Sequence, residues 1–262
     1  MIYTDLLRSV TAADGLSRAT SVPENWMQGR TAYGGLTAAL CLESALPLSA
    51  GLPIRSAQVA FVGPVNGTVR CRPEVLRQGK NTVFISVRMT GEDGILAECI
   101  FTFGAARSSS LDFTRLAAPD VPGVPEAQVN LHREGRGPAF AQNFDIRLAG
   151  GPPLMSGASE ADISIWMRHR DPNAPDDAIA LLALADAPPP AAMAMFTEPA
   201  RISSMTWMTE FLTETISTND RWFLARHTAQ AARNGYSSQQ MVMWNTAGAP
   251  VMIGRQTIAV FG

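Results

Sequence analysis

One apolar helix followed by four strand-like segments, and then the same series a second time, is the pattern that most limits how this chain can fold. In the first copy an apolar run over 36–46 is closed by Pro47 and Pro53, and strands are expected at 54–64, 68–77, 82–90 and 96–103. Along 82–90 the odd positions Val83, Ile85, Val87 and Met89 are all apolar, the period of two expected of a strand with one buried face. Gly91-Glu92-Asp93-Gly94 then supplies a hairpin turn. In the second copy strands are expected at 144–148 and 163–168. Asp176-Asp177 cap a helix from 178 to about 186 that Pro188-Pro189-Pro190 ends. Four further strands are expected at 202–212, 222–232, 237–245 and 251–260. The Ser-, Pro- and Gly-rich stretch between the copies reads as a connection, which divides the chain into 1–105, 106–140 and 141–262. A long helix wrapped by a coiled antiparallel sheet, repeated in tandem, is the α+β architecture that this order suggests.

With 262 residues, 46% of them hydrophobic, the chain can bury one large core or two small ones. The formal charge of -2, with no basic run, argues against nucleic acid as a partner. No charged leader precedes an apolar stretch, and no segment reaches the roughly 18 apolar residues of a membrane span. The cytoplasm is therefore the expected location, with no membrane partner. Cys41, Cys71 and Cys99 are odd in number and lack C-x-x-C spacing, so they read as buried apolar residues. His132, His169 and His227 are far apart in sequence and match no local metal pattern, so no metal is expected.

Gly34-Gly35 stands just before the first helix, where bare backbone N–H groups can receive negative charge and the missing Cβ atoms permit close approach. The other reading is that the pair only lets the helix cross the sheet closely. Tyr33 could donate its phenolic hydrogen there, or simply anchor the turn by packing. The methionines of the second half, among them Met193, Met205, Met241 and Met252, suit an acyl tunnel or ordinary core filling.

The series Gly29-Arg30-Thr31-Ala32-Tyr33-Gly34-Gly35, the segment Arg55-Ser56-Ala57-Gln58-Val59-Ala60-Phe61-Val62-Gly63-Pro64-Val65, Val75-Leu76-Arg77-Gln78-Gly79-Lys80 and the late Gly254-Arg255-Gln256 together resemble the double hotdog acyl-CoA thioesterases of type II. The resemblance implies two tandem hotdog modules, an acyl-CoA substrate with CoA as part of it, no separate cofactor, and a homodimer or larger homo-oligomer. It also implies a water activated by an Asp, a Thr or Ser, and a Gln. By position the Gln falls on Gln256, the Thr or Ser on Thr228, and the Asp on Thr206, with Tyr33, Gly34 and Gly35 on the substrate side. Thr206 departs from the pattern, because an aliphatic hydroxyl is no base near neutral pH. Glu210 shares its strand face but lies roughly 13 Å further on. His227 is expected on the sheet face opposite to Thr228. The implied activity is thioester hydrolysis by direct attack of water. Two alternatives stand beside it: an acyl-CoA-binding protein that has lost the carboxylate, and, last, a hotdog enoyl-thioester hydratase.

Overall fold

The computed structural model describes residues 1–124, 129–131 and 137–261; His132 lies outside them. Helix α1 spans Gly34–Ala45, and strands β1 (Ile54–Phe61), β2 (Thr68–Gln78), β3 (Thr82–Gly91) and β4 (Gly94–Gly104) follow it. The second half brings β5 (Phe144–Gly150), β6 (Asp162–His169), helix α2 (Ala178–Ala185), and then β7 (Arg201–Phe211), β8 (Phe223–Arg233), β9 (Tyr236–Asn245) and β10 (Pro250–Phe261). The repeated order read from the sequence is present. Every strand pairing among the described residues is antiparallel.

A single sheet carries both halves, in the order β2-β3-β4-β1-β7-β10-β9-β8-β6-β5 with short strands at its two ends. The join is the antiparallel pair β1–β7, with Ala60 opposite Thr206 and Ser56 opposite Glu210. Period-two patterning decides what this sheet buries. Val83, Ile85, Val87 and Met89 are fully buried, whereas Phe84 and Arg88 between them are exposed. Both helices are buried nearly all round and α2 is wholly apolar, as a helix can be when it is enclosed rather than laid on a surface.

Where the sequence suggested a turn at Gly34-Gly35, the helix has already begun. Tyr33 is extended and is the N-cap, so the two glycines are the first helical residues. Asp177 caps α2 as expected, its carboxylate accepting from the Ala180 N–H at 2.8 Å. The two helices pack side by side and run in opposite directions: the start of α1 meets the end of α2, and Glu43 near the end of α1 faces Asp177. Cys41, Cys71 and Cys99 are free, buried thiols that converge from α1, β2 and β4.

The connection also has structure. Residues 116–124 lie against the outer face of the second half, where the Trp244 indole donates to the Leu116 carbonyl at 2.7 Å and the Trp166 indole to that of Pro122 at 2.9 Å. Ala118, Val121 and Val124 thereby cover Trp166, Trp222 and Trp244.

The contact between the helix ends leaves no space for a side chain. A Cβ at position 35 would stand 2.5 Å from the Ala183 carbonyl oxygen, and one at position 34 would stand 2.7 Å from both Asp186 and Phe61. Backbone cannot swing aside as a flexible side chain can, so Gly35→Ala is expected to push the helices apart and to destabilise the protein by about 1–3 kcal/mol, read by urea denaturation.

Candidate active site

Asp186 is the C-cap of α2, immediately past its last helical residue. A carboxylate there meets the negative end of its own helix, which is unfavourable. The antiparallel neighbour compensates: α1 begins at this point, and Gly35 presents its backbone N–H to the Asp186 carboxylate. The anion that the Gly35 amide receives is therefore a side chain of the protein itself. Tyr33 secures the arrangement. Its hydroxyl donates to the Ala183 carbonyl at 3.1 Å and its ring stacks on Phe140 at 4.4 Å, so it anchors the helix ends and its hydrogen is already committed.

On the sheet side Gln256 of β10 meets this carboxylate. Its amide nitrogen donates to Asp186 Oδ1 at 2.8 Å and to Ser204 Oγ at 2.7 Å, while its carbonyl oxygen accepts from Gln239 Nε2 at 2.8 Å. Gln239 Oε1 in turn accepts from the Ala191 N–H at 3.1 Å. A main-chain N–H can only donate, so Gln239 must turn its oxygen to Ala191, which aims its nitrogen at the Gln256 oxygen. Gln256 is then left with both of its hydrogens for Asp186 and Ser204. One backbone donor orients the whole chain of amides, and Ser204, as an acceptor, keeps its own hydrogen free.

Burial pushes the Asp186 carboxyl up to about 7, against the hydrogen bonds from Gln256 and Gly35 that favour its charged form. Part of the residue remains open to solvent. Beside it lies a cavity lined by Asp186, Gln256, Gln239, His227, Trp207 and Met241, whose volume of about 10 Å³ is that of one water.

Of the positions inferred from the sequence, Gln256 is at the centre of this network, and Gly34, Gly35 and Tyr33 hold its carboxylate. Thr206 and Thr228 are not brought to it. Thr206 is exposed, paired with Thr257 and Ala60 on the outer face. Thr228 points away from the interior that His227 enters. The reason at β7 is a bulge: the register shifts between Ser204 and Thr206, so Ser204 stands opposite buried Ile258 and joins the face of Trp207. Uninterrupted alternation from Trp207 would have turned Ser204 outward. Asp186 did carry a signal in the sequence, as an acidic residue of the wrong sign at the end of an apolar helix. Glu210 is exposed and takes no part.

Among the described residues no group of three or more His, Cys, Asp or Glu side chains is placed to hold a metal ion. Nor is any described helix long and apolar enough to cross a membrane.

Comparison with known proteins decides the family. The family model of the acyl-CoA thioesterase N-terminal domain matches residues 22–104, and that of the C-terminal domain matches residues 117–260. The chain belongs to the acyl-CoA thioesterase family. No curated protein matches it in sequence. Among solved structures, this thioesterase-family chain is similar to a conserved hot dog protein of unknown function from Alicyclobacillus acidocaldarius, at 23% identity over 98% of both chains with a TM-score of 0.88. It is also similar to a putative thioesterase II from Thermobifida fusca, at 18% identity over 100% of this chain and 98% of that one, TM-score 0.81. An acyl-CoA thioesterase II from Mycobacterium marinum gives 17% identity over 98% of both chains and a TM-score of 0.77. These likenesses establish the double hotdog fold.

The raised pKa of Asp186 has a consequence for stability. An unfolded aspartate titrates near 3.9, so between about pH 4 and pH 7 the folded protein holds a proton that the unfolded chain has released. Folding stability should therefore fall as pH rises through this range and then level off. Asp186→Asn removes the penalty. It should melt at a higher temperature than the wild type at pH 8 and at nearly the same temperature at pH 4, the difference corresponding to a few kcal/mol at about 1.4 kcal/mol per pH unit.

Proposed function

We propose that this protein hydrolyses acyl-CoA thioesters to free acid and CoA, with Asp186 as general base and Ser204 and Gln256 fixing the geometry of attack. The observation that carries the reading is the carboxylate of Asp186, with its proton affinity raised to about 7, held on Gln256 beside a cavity the size of a water. A base that titrates near the working pH combines a useful ionised fraction with a useful driving force. Family membership supports the thioester as the bond that is cleaved.

In this reading a water in the cavity gives its proton to Asp186 while its oxygen bonds to the thioester carbonyl carbon. The free hydroxyl hydrogen of Ser204 supplies a donor toward the developing oxyanion. Collapse of the tetrahedral intermediate breaks the C–S bond, and the departing thiolate takes the proton back from Asp186. No resident cofactor enters, since CoA is part of the substrate.

Asp, Ser and Gln are the residue types that the family resemblance implies, supplied here by Asp186, Ser204 and Gln256. The argument for a binding protein without activity rests on Thr206 in place of an aspartate, and the carboxylate of Asp186 beside Gln256 supports the enzyme reading instead.

Release of CoA from a panel of short, long and aryl acyl-CoAs tests the proposal. Asp186→Asn should lower kcat by about 10²- to 10⁴-fold, the usual share of a general base. In the wild type kcat/KM should rise with pH to a plateau above about pH 7, as the carboxylate forms. Binding of acyl-CoA without CoA release from any member of the panel would refute the enzyme reading.

A further inference from the structure

His227 lines the same cavity as Asp186 and Gln256, and the reaction as described above leaves it unused. It is 3% exposed, and neither ring nitrogen has a hydrogen-bond partner. Its neighbours across the sheet are Ile163 on β6 and Met241 on β9, both apolar, so the sheet offers it nothing. A buried polar group left without partners is destabilising, a cost that an apolar side chain at this position would avoid.

The other polar side chains on the wall are committed. Gln256 spends both amide hydrogens on Asp186 and Ser204, Gln239 bridges Ala191 and Gln256, and the guanidinium of Arg255 reaches Ser238 at 3.2 Å. His227 alone keeps one donor and one acceptor free, the pattern that complements a water molecule.

We propose that His227 is a further catalytic residue of this site, one that holds the attacking water by accepting one of its O–H bonds while Asp186 accepts the other. The inference rests on the thioesterase reading and extends it. Asp186 and Arg255 are the other titratable groups lining the cavity. Burial lowers the imidazole to about 4, below the carboxyl at about 7, so His227 stays neutral and the proton passes to Asp186. During attack the hydrogen facing His227 stays on the oxygen that becomes the hydroxyl of the product acid, which then ionises to solvent. The proton on Asp186 leaves with the thiol. No charge is placed on the imidazole at any stage.

Two variants test this. His227→Leu removes the hydrogen bond at similar volume, and His227→Gln keeps a donor and an acceptor. For the leucine variant the expected result is a kcat lower by about 10- to 100-fold on every substrate of the panel, from one lost hydrogen bond to a reacting group, with KM changed less than about threefold. Its melting temperature should equal or exceed that of the wild type, because an unpartnered buried group has gone. The glutamine variant should recover part of kcat. A leucine variant with kcat within about twofold of the wild type overturns the inference, as does a loss that follows a lowered melting temperature and is not relieved by glutamine. If Asp186→Asn is inactive while His227→Leu is unimpaired, only the role of His227 fails; if the wild type releases no CoA, the thioesterase reading fails with it.

Discussion

The meeting of two antiparallel helix ends, the start of α1 against the capping carboxylate of α2, is the contact on which the rest of this structure depends. Asp186 stands at the negative end of one helix and at the positive end of the other, so the field of α1 offsets that of α2. Charge alone would not bring them this close. Two residues without side chains at the head of α1 let the main chain of one helix touch that of the other, and Tyr33 ties them through the Ala183 carbonyl. The continuous sheet holds both helices, and through β1–β7 it places β10, with Gln256, across from the carboxylate.

The two inner faces differ in chemistry although they repeat in form. Strand β3 and the β4 residues Ala97, Cys99, Phe101 and Phe103 give the first half an apolar interior. The second half admits Gln239, Gln256, Ser237, Thr209 and His227 to the equivalent region. Polar groups in a core are tolerated when each finds a partner, and the run from Ala191 through Gln239 to Gln256 meets that requirement in a single direction. Thr209, Ser237 and His227 lack partners, and of these His227 borders the cavity, as does Asp186 with its raised proton affinity. Stability given up beside a cavity of the size of a water is the trade expected of a functional site, and it accords with the role proposed for Asp186.

Much of the fold was legible because it depends on local patterns. Apolar alternation marked the long strands to within a few residues, the Asp177 cap and the proline run bracketed α2, and the repeated order of elements pointed to two modules. Gln256 was reached through the Gly254-Arg255-Gln256 series that carries the family resemblance. Ser204 was missed because a bulge reverses the facing of the residues before it, and a bulge leaves no trace in a count by twos. Asp186 was missed for another reason: its partners, Gly35 and Gln256, are far from it in sequence, and nothing near it signals that α1 begins there.

By itself, then, the sequence determined the elements, the tandem α+β plan, the apolar faces and the family, since these follow from side-chain periodicity, capping residues and ordered motifs. The tertiary structure alone decided which carboxylate meets the glutamine, which hydroxyl faces inward, and that the Gly35 amide is occupied by an internal anion. Those outcomes depend on the antiparallel packing of two helices and on one shift of register, and both arise from contacts between residues tens to hundreds of positions apart.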